Sequence, residues 1–228
     1  MLAAALLLLT GCGEKKRARV VVPPPPEVSP QPQPQPEETE APPNTPPILV
    51  ETGLASWYGP PYHNRRGANG EVYDMNAMTA AHRTLPLNSL VRVTNLATKQ
   101  SALVRITDRG PFVEGRVIDL SLAAAKETGV WRAGTARVRL EVLEAPSPLE
   151  KGGRWCVQIG AFSEEEEAQK LKDRLARRYR TARVLAFGSP VGDYWVRVRV
   201  LGDDRRRAEE VLKENTTLEG TMFLVRLD

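Results

Sequence analysis

Apolar and polar positions alternate with a period of two in several short runs between residues 89 and 144, the signature of half-buried strands. "SLVRVTNL" (89–96) sets Leu90, Arg92 and Thr94 against Val91 and Val93. "QSALVRITDRG", "GRVIDL" and "TARVRLEVLE" repeat the pattern, and turn residues separate them. One segment breaks the alternation: "SLAAAKET" (121–128) reads as a helix, with Ser121 as N-cap and Gly129 at its C-terminal end. One short helix among several short strands predicts a compact β-barrel. From residue 153 the pattern changes. "RWCVQIGAF", "ARVLAF", "DYWVRVRVL" and "TMFLVRL" read as strands. "SEEEEAQKLKDRLARRY" and "DDRRRAEEVLKEN" read as amphipathic helices, the first capped by Ser163 and acidic in its first turn. The order βαββαβ predicts a four-stranded sheet with both helices on one face.

Composition sets aside the first fifth of the chain. Twelve of the 19 prolines fall between Pro23 and Pro47, a stretch that cannot bury a core and reads as a disordered or polyproline tether. The formal net charge is +4, with a mild basic excess in each folded segment. That suits a polyanionic partner without being a nucleic-acid signature. Two distant cysteines and two histidines imply neither a disulfide framework nor a metal site, and no cofactor motif is present.

The chain opens with "LAAALLLLTGC", an apolar run too short to span a bilayer. Its end resembles a bacterial lipobox, which implies lipidation at Cys12 and membrane attachment. Gly13 after the cysteine favours, by analogy with lipoprotein sorting, the periplasmic face of the outer membrane. A tether of roughly 35 residues at about 3.1 Å each would then reach on the order of 100 Å from the membrane.

The first folded segment carries "ASWYG", "ANGE", "YDM", "TAAH", "TLP", "VRVTNL", "DRGPF" and "IDLS". In these it resembles the rare lipoprotein A family, bacterial cell-envelope lipoproteins built on a six-stranded double-psi β-barrel related to expansins and to a lytic transglycosylase. The resemblance implies cleavage of peptidoglycan glycan without water, leaving a 1,6-anhydro-muramic end. In such chemistry the sugar's own C6 hydroxyl attacks C1. One carboxyl can protonate the leaving oxygen and later take the hydroxyl proton, so burial or a like-charged neighbour should raise its pKa.

Seven carboxylates are available: Glu71, Asp74, Asp108, Glu114, Asp119, Glu127 and Glu141. Glu127 and Glu141 read as solvated faces and Glu114 as a turn residue. Asp108 and Asp119 have ordinary structural readings too, as a turn residue and a helix cap beside Ser121. In the resembled enzymes and expansins an essential aspartate has another eleven residues earlier, a spacing that Asp119 and Asp108 reproduce. The resemblance therefore implies that one is the proton donor, Asp119 slightly favoured. Glu71, Asp74 and His82 would shape the cleft and its pKa values, and Trp57 and Tyr58 would form a sugar platform.

"WCVQIGAF" and "YWVRVRV" resemble the SPOR domain, which binds glycan strands lacking stem peptides. Strand alternation turns Val157, Ile159, Tyr194, Val196 and Val198 toward the helices. It puts Cys156, Gln158, Trp195, Arg197 and Arg199 on the opposite face, read as open and available to a glycan. RNA, the other use of this topology, lacks its aromatic-rich motif here, so no nucleic acid is expected.

The expected organisation is a lipoprotein signal at 1–12, a tether at 13–50, a catalytic barrel at 51–144, a linker at 145–152 and a SPOR domain at 153–228. The expected protein is a lipid-anchored lytic transglycosylase of the cell envelope. It would be enriched at the division septum on denuded glycan, beside other wall enzymes such as amidases. The alternative is a non-catalytic glycan-binding or expansin-like wall-loosening module. Both keep the aspartates, so sequence leaves them open.

Overall fold

The computed structural model describes residues 45–186, 194–215 and 221–228. Cys12, the lipobox and the tether as far as residue 44 lie outside them.

The first domain is a closed six-stranded barrel. Its strands are β1 (Leu49–Trp57), β2 (Thr79–His82), β3 (Leu90–Asn95), β4 (Ser101–Asp108), β5 (Arg116–Leu120) and β6 (Ala136–Glu144), in the spatial order β1-β5-β2-β4-β3-β6. The β1/β5 and β2/β4 pairs are parallel, the others antiparallel. The alternation read from sequence holds from Val91 on: Val91 and Val93 are buried while Arg92 and Thr94 stay half-exposed, but Leu90, across a register shift, is buried too. On β6, Val138, Leu140 and Val142 point inward. Gly53 lets β1 cross close to β5, since a Cβ there would meet a Val117 methyl at 2.4 Å.

Helix α1 (Leu122–Glu127) follows β5, and α2 (Val130–Ala133) follows α1 after Gly129 in the left-handed conformation, φ 72°. Ser121 caps α1 by accepting the Ala124 amide at 3.2 Å, and its own hydroxyl donates to the Ala77 carbonyl at 2.7 Å. Asp119 takes no part in that cap.

The second domain follows the expected βαββαβ order. It comprises β7 (Trp155–Phe162), α3 (Glu165–Ala176), β8 (Ala182–Ala186), β9 (Tyr194–Arg199), α4 (Arg205–Glu214) and β10 (Met222–Arg226), with sheet order β10-β7-β9-β8. Val157, Ile159, Val196 and Val198 pack with Ala168, Leu171 and Val211 of the helices. The N-cap position of α3 is Glu164 rather than Ser163, without a side-chain cap bond; α4 is capped by Asp204, which accepts the Arg206 amide at 2.8 Å.

The expectation of an open second sheet face fails. Trp195 retains 4% of its surface and Gln158 1%. The cover is the barrel: Phe112 lies against Trp195 with ring centroids 4.9 Å apart, and against Phe223 at 5.9 Å. Alternation fixed the face correctly but could not reveal which element lies on it. Arg199 alone of the predicted set stays exposed, paired with Asp203 at 2.9 Å.

Candidate active site

Strand β2 lies between β4 and β5, and one residue of it, Ala81, is opposite both Asp108 and Asp119. On the far side of β5, Ser56 of β1 is opposite Asp119. Ser56, Asp119, Ala81 and Asp108 thus form one row across four strands. Two neighbour spacings separate the aspartate backbones by about 10 Å, with only a methyl side chain between them. The two carboxylates of "DRGPF" and "IDLS" meet because the barrel inserts the earlier "TAAH" strand between them.

Each carboxylate has its own setting. Asp119 is 14% exposed. The Ser56 hydroxyl donates to its Oδ1 at 2.5 Å, and Arg116 reaches its Oδ2 at 3.3 Å. Burial raises its pKa; the Ser56 hydrogen bond and the charges of Arg116 and Arg83 oppose the rise. Asp108 accepts two main-chain amides on Oδ1, from Arg109 at 2.8 Å and Ala68 at 3.0 Å. Among the described hydrogen bonds its Oδ2 takes none. Burial raises its pKa also, the two amides and Arg109 oppose the rise, and the charge of Asp119 adds to it. Both acids therefore hold a proton more readily than a solvated aspartate.

A small hairpin covers Asp108. Tyr73 donates its amide to the Arg65 carbonyl, Gly67 to Glu71, and Asn69 to Thr107 across to β4. Gly67 permits the approach: a Cβ there would sit 3.0 Å from the Thr107 carbonyl oxygen. Glu71 lies on this hairpin, exposed, and accepts from the Asn69 side chain at 2.8 Å. Asp74 is also exposed and organises the next turn by accepting the Asn76 amide at 2.9 Å. Both bond within the loops beside the cleft, and neither contacts the aspartate pair.

His82 is not a partner of the pair either. Its Nδ1 accepts the amides of Thr84 and Leu85 at 3.2 and 3.1 Å, so the ring proton is on Nε2, which faces Glu51 at 3.2 Å. His82 directly opposes Ile118 on β5, one residue out of step with Asp119, so the pleat turns its ring away from the aspartates. Burial lowers its pKa, and its hydrogen bond lowers that of Glu51.

Of the proposed platform, Tyr58 borders the acids. Its ring stacks on Tyr73 at 4.4 Å and meets Tyr62 edge-on at 5.9 Å. Its hydroxyl is buried with no bonded partner among the described residues, and burial followed by the charge of Asp108 pushes its pKa well up. Trp57 is half-buried and packs against the barrel core. In the second domain the Gln158 oxygen accepts from Arg197 Nη2 at 2.6 Å and Nε at 3.2 Å.

Sequence reasoning passed over Ser56, Arg116 and Arg83. Ser56 sits inside the quoted "ASWYG" motif, but its role depends on strand order. Arg83 donates to the Pro111 and Arg116 carbonyls at 2.8 and 2.7 Å, bracing the turn between the aspartates.

Residues 50–140 match the family model described as lytic transglycolase, and residues 151–214 match the SPOR domain model. The first domain accordingly has the double-psi β-barrel fold, and the second is a SPOR domain. The chain is similar to proteins named endolytic peptidoglycan transglycosylase RlpA. That of Vibrio cholerae is 54% identical over 139 residues, covering 58% of this chain and 53% of the relative. That of Campylobacter jejuni is 42% identical over 155 residues, covering 58% of this chain and 55% of the relative. The chain spans about half the length of these curated relatives.

Proposed function

We propose that the protein is a peptidoglycan lytic transglycosylase cutting between N-acetylmuramic acid and N-acetylglucosamine. The observation that carries the reading is the pair of half-buried aspartates in one row of the barrel, both biased toward the protonated form. One carboxyl gives its proton to the glycosidic oxygen, and the C1–O bond breaks. The muramic C6 hydroxyl forms the new bond to C1, and its proton returns to the same carboxylate, so no water is consumed. The motif resemblance favours Asp119 for this role. Arg116, at 3.3 Å and partly exposed, is then the group that yields Oδ2 to the substrate. Asp108, which accepts its two main-chain amides on Oδ1, is the second carboxylate, able to bind a sugar hydroxyl and to stabilise positive charge developing at C1.

Further parts of the proposal are anchoring through a lipid at Cys12, preference for strands lacking stem peptides through the SPOR domain, and concentration at the septum beside amidases. The lipobox-like "LLLLTGC" supports the anchor, and the SPOR match supports the glycan-directed role of the second domain. The test is digestion of intact and amidase-treated sacculi followed by mass analysis. Fragments with anhydro ends, lighter by one water than hydrolysis products, and faster release from the amidase-treated material are expected. Fragments with only reducing ends would remove the lytic mechanism. Binding without any release would favour the wall-loosening alternative.

A further inference from the structure

The sheet face that a glycan would need is occupied by the barrel. Phe112 covers Trp195 and Phe223, and the Arg83 guanidinium lies 5.4 Å over the Phe223 ring. Polar bonds complete the contact: Arg226 donates its amide to the Arg83 carbonyl at 2.9 Å, and Arg109 Nη2 reaches the Asp228 carbonyl oxygen at 2.6 Å.

Two features separate this contact from plain domain packing. Beneath the aromatic cover, Gln158 and Arg197 are closed on each other. An amide, a guanidinium and an indole are groups that suit sugar hydroxyls and a pyranose face, here satisfied without a sugar. The cover itself is the "DRGPF" turn, which begins with Asp108. Arg109 joins that turn to the second domain while also holding the His82 and Leu85 carbonyls at 3.0 and 2.7 Å. Arg83 braces the Pro111 and Arg116 carbonyls on the side of Asp119. The second domain therefore touches a residue connected to each aspartate.

We infer that the Pro111–Phe112 turn is an internal competitor for the glycan face of the SPOR domain: the resting chain is closed, and docking on denuded glycan displaces the turn. This rests on the proposed reading of that face as the glycan site. A binding surface exposed in only a fraction of molecules has its apparent affinity reduced by that fraction. Separation also frees Arg83 and Arg109 from the second domain, so engagement of glycan by one domain reaches the turn bearing the acids in the other.

The test uses the full chain and denuded sacculi prepared with an amidase, with binding measured by sedimentation in the cold. Phe112→Ala removes an aromatic ring yet should tighten binding, on the order of 10-fold, while Trp195→Ala should weaken it. If Trp195→Ala weakens binding and Phe112→Ala leaves it unchanged or weaker, the face binds glycan but the barrel does not compete for it, and the inference falls alone. If neither changes binding, the glycan reading of the face fails and the inference with it. A second measurement avoids any disturbance of the turn. Solution X-ray scattering of the unaltered chain should show a larger radius of gyration when soluble denuded glycan is added, and an unchanged radius overturns the inference.

Discussion

Two places in this molecule hide polar groups, and they hide them differently. In the barrel, Asp108 and Asp119 are covered by loops and strands of their own domain. In the second domain, Gln158, Arg197 and Trp195 are covered by the other domain. The two acids are held half-buried by their own domain, within reach of a substrate, and that partial burial appears as a raised pKa. The sheet face is covered by a turn of the other domain, which on the inference above leaves when glycan docks. There the Arg197 guanidinium pairs with the neutral Gln158 amide, and burial lowers its pKa. On the proposed reading, burial within one domain prepares chemistry, whereas burial between two domains makes a switch.

The largest effect should come from the barrel acids. Asp119→Asn and Asp108→Asn keep side-chain shape and remove the titrating group, and loss of a general acid typically costs on the order of 100-fold or more in rate. At least one should lose that much in release of anhydro-ended fragments while its thermal unfolding stays near that of the parent. A deeper loss for Asp108→Asn would exchange the assigned roles. Full activity in both folded variants would return the pair to structural duty and erase the chemical half of the comparison.

The switch half is probed by Arg109. Its guanidinium satisfies carbonyls of His82, Leu85 and Asp228, spanning both domains. Arg109→Met leaves partly buried carbonyls unpaired, a loss of about 2 kcal/mol. Urea unfolding should show a lower midpoint and separate transitions for the two domains. An unchanged single transition would mean that the arginine does not couple them.

Much of this was legible in the chain, and the exceptions have physical causes. Val91 and Val93 declare β3 because one strand face is buried and the other wet. The "TAAH" strand is four residues, two of them alanine, with no alternation to read, yet it decides where the acids meet. Asp108 and Asp119 were visible by motif and spacing. That Ala81 lies between them, and that Ser56 bonds Asp119, follows from spatial strand order, which local pattern does not encode. Trp195 was assigned to the correct face by its period of two. Its cover comes from Phe112, more than 80 residues away in another domain, where no periodicity reaches.

A smaller effect should sharpen the chemical side. The Ser56 hydroxyl donates to Asp119 and favours its charged form. Ser56→Ala removes that preference, so the acid keeps its proton to higher pH. If Asp119 is the donor, the alkaline limb of the pH–rate profile should move upward. A limb that stays in place would point to Asp108.

The smallest effect concerns stability and isolates His82 from the acids. Burial lowers the His82 pKa from 6.5, so just below that value the unfolded chain binds more protons than the folded one. Stability contributed by the neutral ring is complete above about 6.5 and is lost as pH falls through the lower folded pKa. The raised aspartates act in the opposite sense. Above the ordinary aspartate value of 3.8 the folded state binds the extra protons, so acidification through their raised pKa values adds stability. His82→Asn supplies an oxygen to accept the Thr84 and Leu85 amides but cannot titrate. Urea midpoints measured at steps from neutral to mildly acidic pH should fall in the parent and stay flatter in His82→Asn, with little difference between the two above pH 7. Equal falls in both would assign the acid sensitivity to other groups, whereas an altered pH–rate profile in His82→Asn would return the histidine to the site.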